Sequence, residues 1–469
     1  MQRWKIPAVL GLTLLAVVVL AGPWIHSPFA RPTAPPAVVP VSPDLLPPIS
    51  EVLGPVSMEI MPSHRALSAQ QTADMFLAVR LTAQDTGAVE RPPLNLAIVL
   101  DRSGSMMSAN KIDFARKAAR LLVDQLTAKD RVALVAFGTD VDLLVPSALV
   151  ADPAALRTAI DRIEPTGQTN LSGGFERGCE EVFRNVQPGQ INRVLLMTDG
   201  LANNGETDAT ALARLVARWH EKGVSLSTFG LGSEFNEDLL QAMAETGCGQ
   251  YHFIANPQDM NQVYGSELKA MMKTAARNAV LRIKTAAGIE LADVYGYAPG
   301  RDENGVTVGL GDLYGGQVRK VVMRLKVPAS ALGQRDIATV ALGYRDVAAD
   351  KLVQAERAVG VSMTDDRAQV LASRDLRVLE MVETAQAAVS LDQAMRLVQS
   401  GRKVEAQKIL EAQILRTTER NATVIQSRNL GLVLEQVQAQ QRRLEAPASA
   451  EAQSLDVKAG KALGLQLAR

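Results

Sequence analysis

Three separated stretches of this chain present oxygen side chains at the ends of apolar runs or in a glycine-bracketed loop. "NLAIVL" (Asn95–Leu100) is followed by Asp101, Ser103 and Ser105 at alternate positions of "DRSGSM". "PTGQTNLSGGF" (Pro165–Phe175) presents Thr169 in a glycine-bracketed loop ahead of a helical pattern, and "RVLLMTDG" (Arg193–Gly200) closes on Asp199. Two carboxylates and three hydroxyls suit a hard divalent cation, because Mg²⁺ takes about six oxygen ligands and keeps several waters. With so few anionic ligands the ion stays electrophilic, and an open position can accept a carboxylate from a partner protein. No histidine or cysteine lies near these residues to recruit zinc.

Other chemistries fit less well. Asp101-x-Ser103-x-Ser105 by itself reads as an Asp-capped turn before the helix at Lys111; Thr169 and Asp199, each at a strand or loop end, favour a site. An Mg²⁺-dependent aspartyl phosphatase needs a nucleophilic Asp, a second acid two residues on and a phosphate-holding lysine, but the residue two on is Ser103. No GxSxG elbow surrounds a nucleophile, and "LSGGFERG" (Leu171–Gly178) lacks the Lys-Ser/Thr of a nucleotide-binding loop. "LANNGETD" (Leu201–Asp208) reads either as a partner-contacting loop, through Asn203, Asn204 and Glu206, or as the cap of the next helix through Thr207 or Asp208. His64, His220 and His252 are scattered and read as surface or satisfied histidines. Met106 and Met107 read as packing residues.

The elements that must hold the oxygen residues alternate. "RVALVAF" (Arg131–Phe137), Arg193–Gly200, "VSLSTFGLG" (Val224–Gly232) and "GQYHFI" (Gly249–Ile254) are buried-strand runs. Between them lie amphipathic patterns at Lys111–Leu126, Asp152–Ile163 and Asn236–Gly247, and a closing helix is expected at Gln258–Arg277. This grammar predicts an α/β domain over 94–277 with a doubly wound, mostly parallel sheet, whose ligands sit beyond the carboxyl ends of its strands. On either side the pattern becomes strict alternation, as in "TADMFLAVRLTA" (Thr72–Ala83) and "VRKVVMRLKV" (Val318–Val327). The economical arrangement is one β-sandwich from residues 56–93 and 278–363, with the α/β domain inserted into it. Because the closing helix runs directly into the sandwich, binding at the site could be transmitted there. Residues 364–445 read as an α-helical region with a helical hairpin turning at Gly401, and 446–469 as a low-complexity tail.

The N-terminus carries an address. Arg3 and Lys5 precede an apolar run, Ile6–Gly22, near the length that spans a bilayer. Residues 1–26 therefore read as an uncleaved signal-anchor or, if cut near Ala21, a cleaved signal peptide. Either way the bulk of the chain is expected outside the cytoplasm, in the cell envelope or secreted. Residues 27–55 are proline-rich, a stiff spacer or a featureless leader. The chain of 469 residues has zero formal net charge and only 4% aromatics, which argues against a nucleic-acid partner. Two cysteines, Cys179 and Cys248, make no disulfide framework; they read as buried apolar residues, with a single bridge the alternative.

"DRSGSM", "TGQTNLSGG" and "LLMTDG" together resemble the von Willebrand factor type A domain and its metal-ion-dependent adhesion site. The resemblance covers about Leu94–Arg277. It implies that Asp101, Ser103, Ser105, Thr169 and Asp199 bind one Mg²⁺, or Mn²⁺ or Ca²⁺, through which a protein partner presenting an acidic residue is held. It implies a non-enzymatic binding protein. The flanks resemble those of bacterial exported type A proteins, which are similar to inter-alpha-trypsin-inhibitor heavy chains. The alternative is a scaffold that binds through its C-terminal helices with an idle metal site.

Overall fold

Strict alternation of apolar side chains makes the first strands: β1 (Ile49–Leu53), β2 (Val56–Pro62), β3 (Ala66–Ser68) and β4 (Ala73–Ala83). In β4, Met75, Leu77, Val79 and Leu81 all face a core. The computed structural model describes residues 49–85, 91–446 and 448–469. The apolar run Ile6–Gly22 and residues 27–48 of the proline-rich segment lie outside these residues, and the end of that segment is not spacer, because Ile49–Leu53 pair with β2 as β1.

The α/β domain follows: β5 (Leu94–Asp101), α1 (Lys111–Val123), β6 (Arg131–Phe137), β7 (Val141–Leu149), α2 (Pro153–Asp161), α3 (Leu171–Phe183), β8 (Ile191–Thr198), α4 (Ala209–Glu221), β9 (Ser225–Leu231), α5 (Glu237–Thr246), β10 (Cys248–Ile254) and α6 (Met260–Met272). The sheet order is β10-β9-β8-β5-β6-β7, with every pair parallel except β6–β7. All eight residues of both β5 and β8 are buried, as strands covered on two faces must be. Ile112, Leu122, Ile160, Tyr264 and Leu268 pack one face; Phe175, Val182, Leu212, Leu240 and Met243 pack the other. After β5 the chain goes to β6 on one side and later returns to β8 on the other. The order therefore reverses at the carboxyl end of β5, where a crevice opens. Strand β7 went unread in the sequence because it is a half-exposed edge strand containing Pro146, which only an edge tolerates.

Alternation then resumes in β11 (Thr274–Thr285), β12 (Glu290–Tyr295), β13 (Gly300–Asp302), β14 (Gly305–Tyr314), β15 (Val318–Val327), β16 (Gly333–Asp346) and β17 (Lys351–Thr364). Two sheets, β1-β2-β4-β15-β12 and β13-β14-β11-β16-β17-β3, share one apolar core that includes Val79, Leu281, Met323, Val340 and Val361. Strands from both sides of the α/β domain are adjacent in each sheet: β4 pairs with β15, and β3 runs parallel to β17. The helix expected to reach Arg277 stops at Met272, because Thr274–Arg277 pair with β14 and β16 and ladder hydrogen bonds outweigh the helix propensity of two alanines.

The C-terminal helices are α7 (Arg367–Ala372), α8 (Leu376–Gln399), α9 (Lys403–Arg420), α10 (Arg428–Glu445) and α11 (Ala450–Ala468). The stretch read as a tail is thus a helix. Its small residues let it lie close on α8: a Cβ at Gly460 would sit 2.5 Å from Met395 Sδ, and one at Gly464 3.2 Å from the Ala388 carbonyl. Among the described residues no helix is long and apolar enough to cross a membrane. Cys179 and Cys248 are free thiols.

Candidate metal centre

The reversal point of the sheet holds the predicted oxygen residues. Asp101 ends β5 with its side chain fully buried; Oδ1 accepts from the Ser103 backbone N–H at 2.7 Å and Oδ2 from the Thr198 hydroxyl at 2.5 Å. The hydroxyls of Ser103 and Ser105 are 3.0 Å apart, and Ser105 donates to Asp199 Oδ1 at 2.7 Å. Asp199, also fully buried, follows directly on β8. A Cβ on Gly200 would stand 3.4 Å from Thr169 Oγ1 and 3.5 Å from Ser105 Oγ, so the Thr169 loop and the Ser105 hydroxyl both flank the start of the loop after β8. Asp101, Ser103, Ser105, Thr169 and Asp199 therefore lie together.

Backbone hydrogen bonds fix the three loops to one another. The Gly104 N–H donates to the Gly167 carbonyl at 3.1 Å, and the Thr166 N–H to Arg102 at 2.6 Å. Asn203 accepts from the Thr169 N–H through Oδ1 at 2.8 Å, while the N–H groups of Asn203 and Asn204 donate back to the Thr169 carbonyl. Asn203 thus holds the Thr169 loop. Asn204 reaches the Thr139 carbonyl at 3.1 Å, and Glu206 turns its carboxylate to the N–H groups of Thr207 and Asp208. The cap of α4 is Asp208, which accepts from Ala211. Met106 is buried, whereas Met107 is 68% exposed and not a packing residue; Leu201, two residues past Asp199, is 56% exposed.

Two neighbours escaped the sequence reading. Thr198 carries the hydroxyl that holds Asp101, and nothing distinguishes it from any other strand threonine. Lys111, read only as the start of a helix, puts Nζ 2.6 Å from Asp199 Oδ2. Its signal was a lysine at the first position of a helix, where the dipole disfavours a cation.

The donor set fits a divalent cation. Burial pushes the Asp101 carboxyl up to about 6 against the hydrogen bonds from Ser103 and Thr198, and nearby Asp199 adds to the rise. Two buried carboxylates share the single ammonium of Lys111, and the other side-chain groups of the cluster are oxygens, as Mg²⁺, Mn²⁺ or Ca²⁺ requires. Among the described residues no group of three or more His, Cys, Asp or Glu is placed to hold a metal ion, and this cluster has two carboxylates beside its hydroxyls. His252 instead faces Glu267 at 3.1 Å and stacks on Phe229, and His64 is hydrogen-bonded to Ser63.

The sequence model of the von Willebrand factor type A domain matches residues 94–253. Those residues form a von Willebrand factor type A domain. Uncharacterized protein YfbK of Escherichia coli K12 is 34% identical over 210 residues, 45% of this chain but 36% of YfbK's own length. Inter-alpha-trypsin inhibitor heavy chain H3 of Mesocricetus auratus is 29% identical over 177 residues, 36% of this chain and 20% of that protein. The solved structure of a von Willebrand factor type A protein from Catenulispora acidiphila shares the fold over 86% of this chain and 96% of its own, with a TM-score of 0.66 at 18% identity. Type A domains commonly mediate metal-dependent protein interactions, and the candidate metal residues of this one stand at the carboxyl edge of its sheet.

Proposed function

We propose that this chain is a non-enzymatic cell-envelope protein that grips a protein partner through a divalent ion held by Asp101, Ser103, Ser105, Thr169 and Asp199. The observation that carries the reading is the convergence of five oxygen side chains from three loops on a pocket in which both Asp101 and Asp199 are fully buried. The bound ion, Mg²⁺, Mn²⁺ or Ca²⁺, offers an electrophilic position to a carboxylate oxygen of the partner. Asp101 and Asp199 supply charge, the three hydroxyls supply neutral oxygens, and Asn203 fixes Thr169. Exposed Met107 and Leu201 beside the cluster give the partner apolar contact. Residues 1–26 anchor the chain in the membrane, or direct secretion if cut, with the type A domain outside the cytoplasm.

The test is a pull-down from detergent-solubilised membranes in Mg²⁺ and in EDTA, with Asp101→Ala and Asp199→Ala beside wild type. A partner retained only with metal and both aspartates supports the reading; identical partners in every lane refute it. A second reading, a scaffold binding through its helices, draws on Val404 and Leu415, exposed by 64% and 71% on α9. Loss of the same partner in Val404→Glu/Leu415→Glu, with the aspartate variants normal, selects it.

A further inference from the structure

We propose that Lys111 is a tethered counter-cation of Asp199 that lowers the affinity of the centre for a divalent ion and so leaves the loaded site in need of a partner carboxylate; this rests on the metal reading above. Lys111 Nζ lies 2.6 Å from Asp199 Oδ2, and Asp199 Oδ1 is already taken by Ser105, so both carboxylate oxygens are engaged. The lysine is 9% exposed and the aspartate wholly buried, so water screens the pair little.

Independent features show that this contact is imposed on the chain. Lys111 is the first residue of α1, the end of a helix at which a positive charge is unfavourable. The two residues before it, Ala109 and Asn110, adopt left-handed backbone at φ 52° and 56°, which non-glycine residues rarely do and which persists only where the surroundings enforce it. The end of the lysine side chain lies against Gly232 just after β9, at ordinary contact distance from where a Cβ would stand. A solvent-facing lysine would need neither the left-handed turn nor a place at a helix start.

The charge balance gives the contact a use. Asp101 and Asp199 together would neutralise a divalent ion outright. With Lys111 counted, the cluster carries one net negative charge before loading and one net positive charge after it. The carboxylate of a partner then restores neutrality. Lys111 thereby weakens the grip on the metal alone and strengthens the call for an acidic partner group.

The measurement is Mn²⁺ binding to the full chain, followed by the paramagnetic resonance of free Mn²⁺, for wild type, Lys111→Met, Lys111→Gln, Lys111→Arg and Asp101→Asn. Neutral Lys111→Met and Lys111→Gln are expected to bind about tenfold or more tightly than wild type, since a like charge beside the ion is gone. Lys111→Arg should stay near wild type and Asp101→Asn should lose binding. Lys111→Gln, which keeps polarity, carries the test if Lys111→Met fails to fold. Affinity unchanged or weakened in the neutral variants, or tightened equally in Lys111→Arg, with Asp101→Asn still losing Mn²⁺, overturns this inference alone. No binding by wild type and neutral variants alike overturns the metal reading with it.

Discussion

Replacing Arg193 by methionine should unsettle the junction between the type A domain and the sandwich. Arg193, on β8 at the edge opposite Asp199, is fully buried. Its guanidinium donates to Glu267 of α6 at 3.0 Å, to the Tyr314 hydroxyl at 2.8 Å and to Asp312 of β14 at 2.5 Å. Both carboxylates are only 2% exposed. Burial alone would raise Glu267, but His252 and Arg193 hold it down to about 2, so it stays charged. Removing the cation strands buried negative charge, which costs about 3–5 kcal/mol against a typical total of about 5–15 kcal/mol. At about 2–4 °C per kcal/mol for a unit of this size, the melting temperature should fall by roughly 10 °C. Thermal unfolding by circular dichroism at pH 7 reads the effect. Arg193→Met/Glu267→Gln/Asp312→Asn should recover much of it, since the stranded charges are then absent. A fall under about 2 °C, or no recovery in the triple variant, would refute the reasoning.

Further outcomes follow from other contacts. Burial alone would raise Glu237, but Lys458 and Lys461 of α11 hold it near 2, below its ordinary 4.5; its support for α11 docking is complete above pH 4.5 and lost as pH falls toward 2. Hydrogen exchange across Ala450–Ala468 should rise over that window, and Glu237→Gln should show fast exchange already at neutral pH. Asn203→Ala frees the Thr169 loop of one hydrogen bond worth about 1 kcal/mol, so Mn²⁺ affinity should drop roughly fivefold with the fold intact. Gly178→Ala sets a methyl 2.6 Å from Val99 Cγ2 between α3 and the sheet, which by overpacking should cost about 1–3 kcal/mol in a denaturant titration.

The oxygen cluster was legible because Asp101, Ser103, Ser105 and Asp199 follow solid apolar runs that betray the sheet, and Thr169 stands in a glycine-bracketed loop before a helical pattern. Residue type and position are local facts there. What stayed hidden depends on partners far along the chain. Lys111 looks like any helix-starting lysine until the left-handed turn at Ala109 and Asn110 aims it at Asp199. The stretch after Ala446 looks featureless because Gly460 and Gly464 are informative only against α8, and Ala468 only against Gly296. Arg193 reads as an unremarkable strand residue, since its three acceptors come from α6 and β14. The partner-loop reading of Asn203, Asn204 and Glu206 meets side chains already engaged with the protein's own backbone.

The pairing of Arg80 with Lys320 across β4 and β15 has a bearing on synthesis. β2 and β4 leave the ribosome early, hydrogen-bonded to each other but with the far edge of β4 unpaired and their apolar face bare. The domain from Leu94 to Met272 has its own core and can close first, drawing its two ends together. That shortens the loop the sandwich must otherwise close, so the early strands meet β15 at a lower entropic cost. Until then they need guarding from one another's copies, and a chain stopped short of β15 should be retained by chaperones rather than delivered.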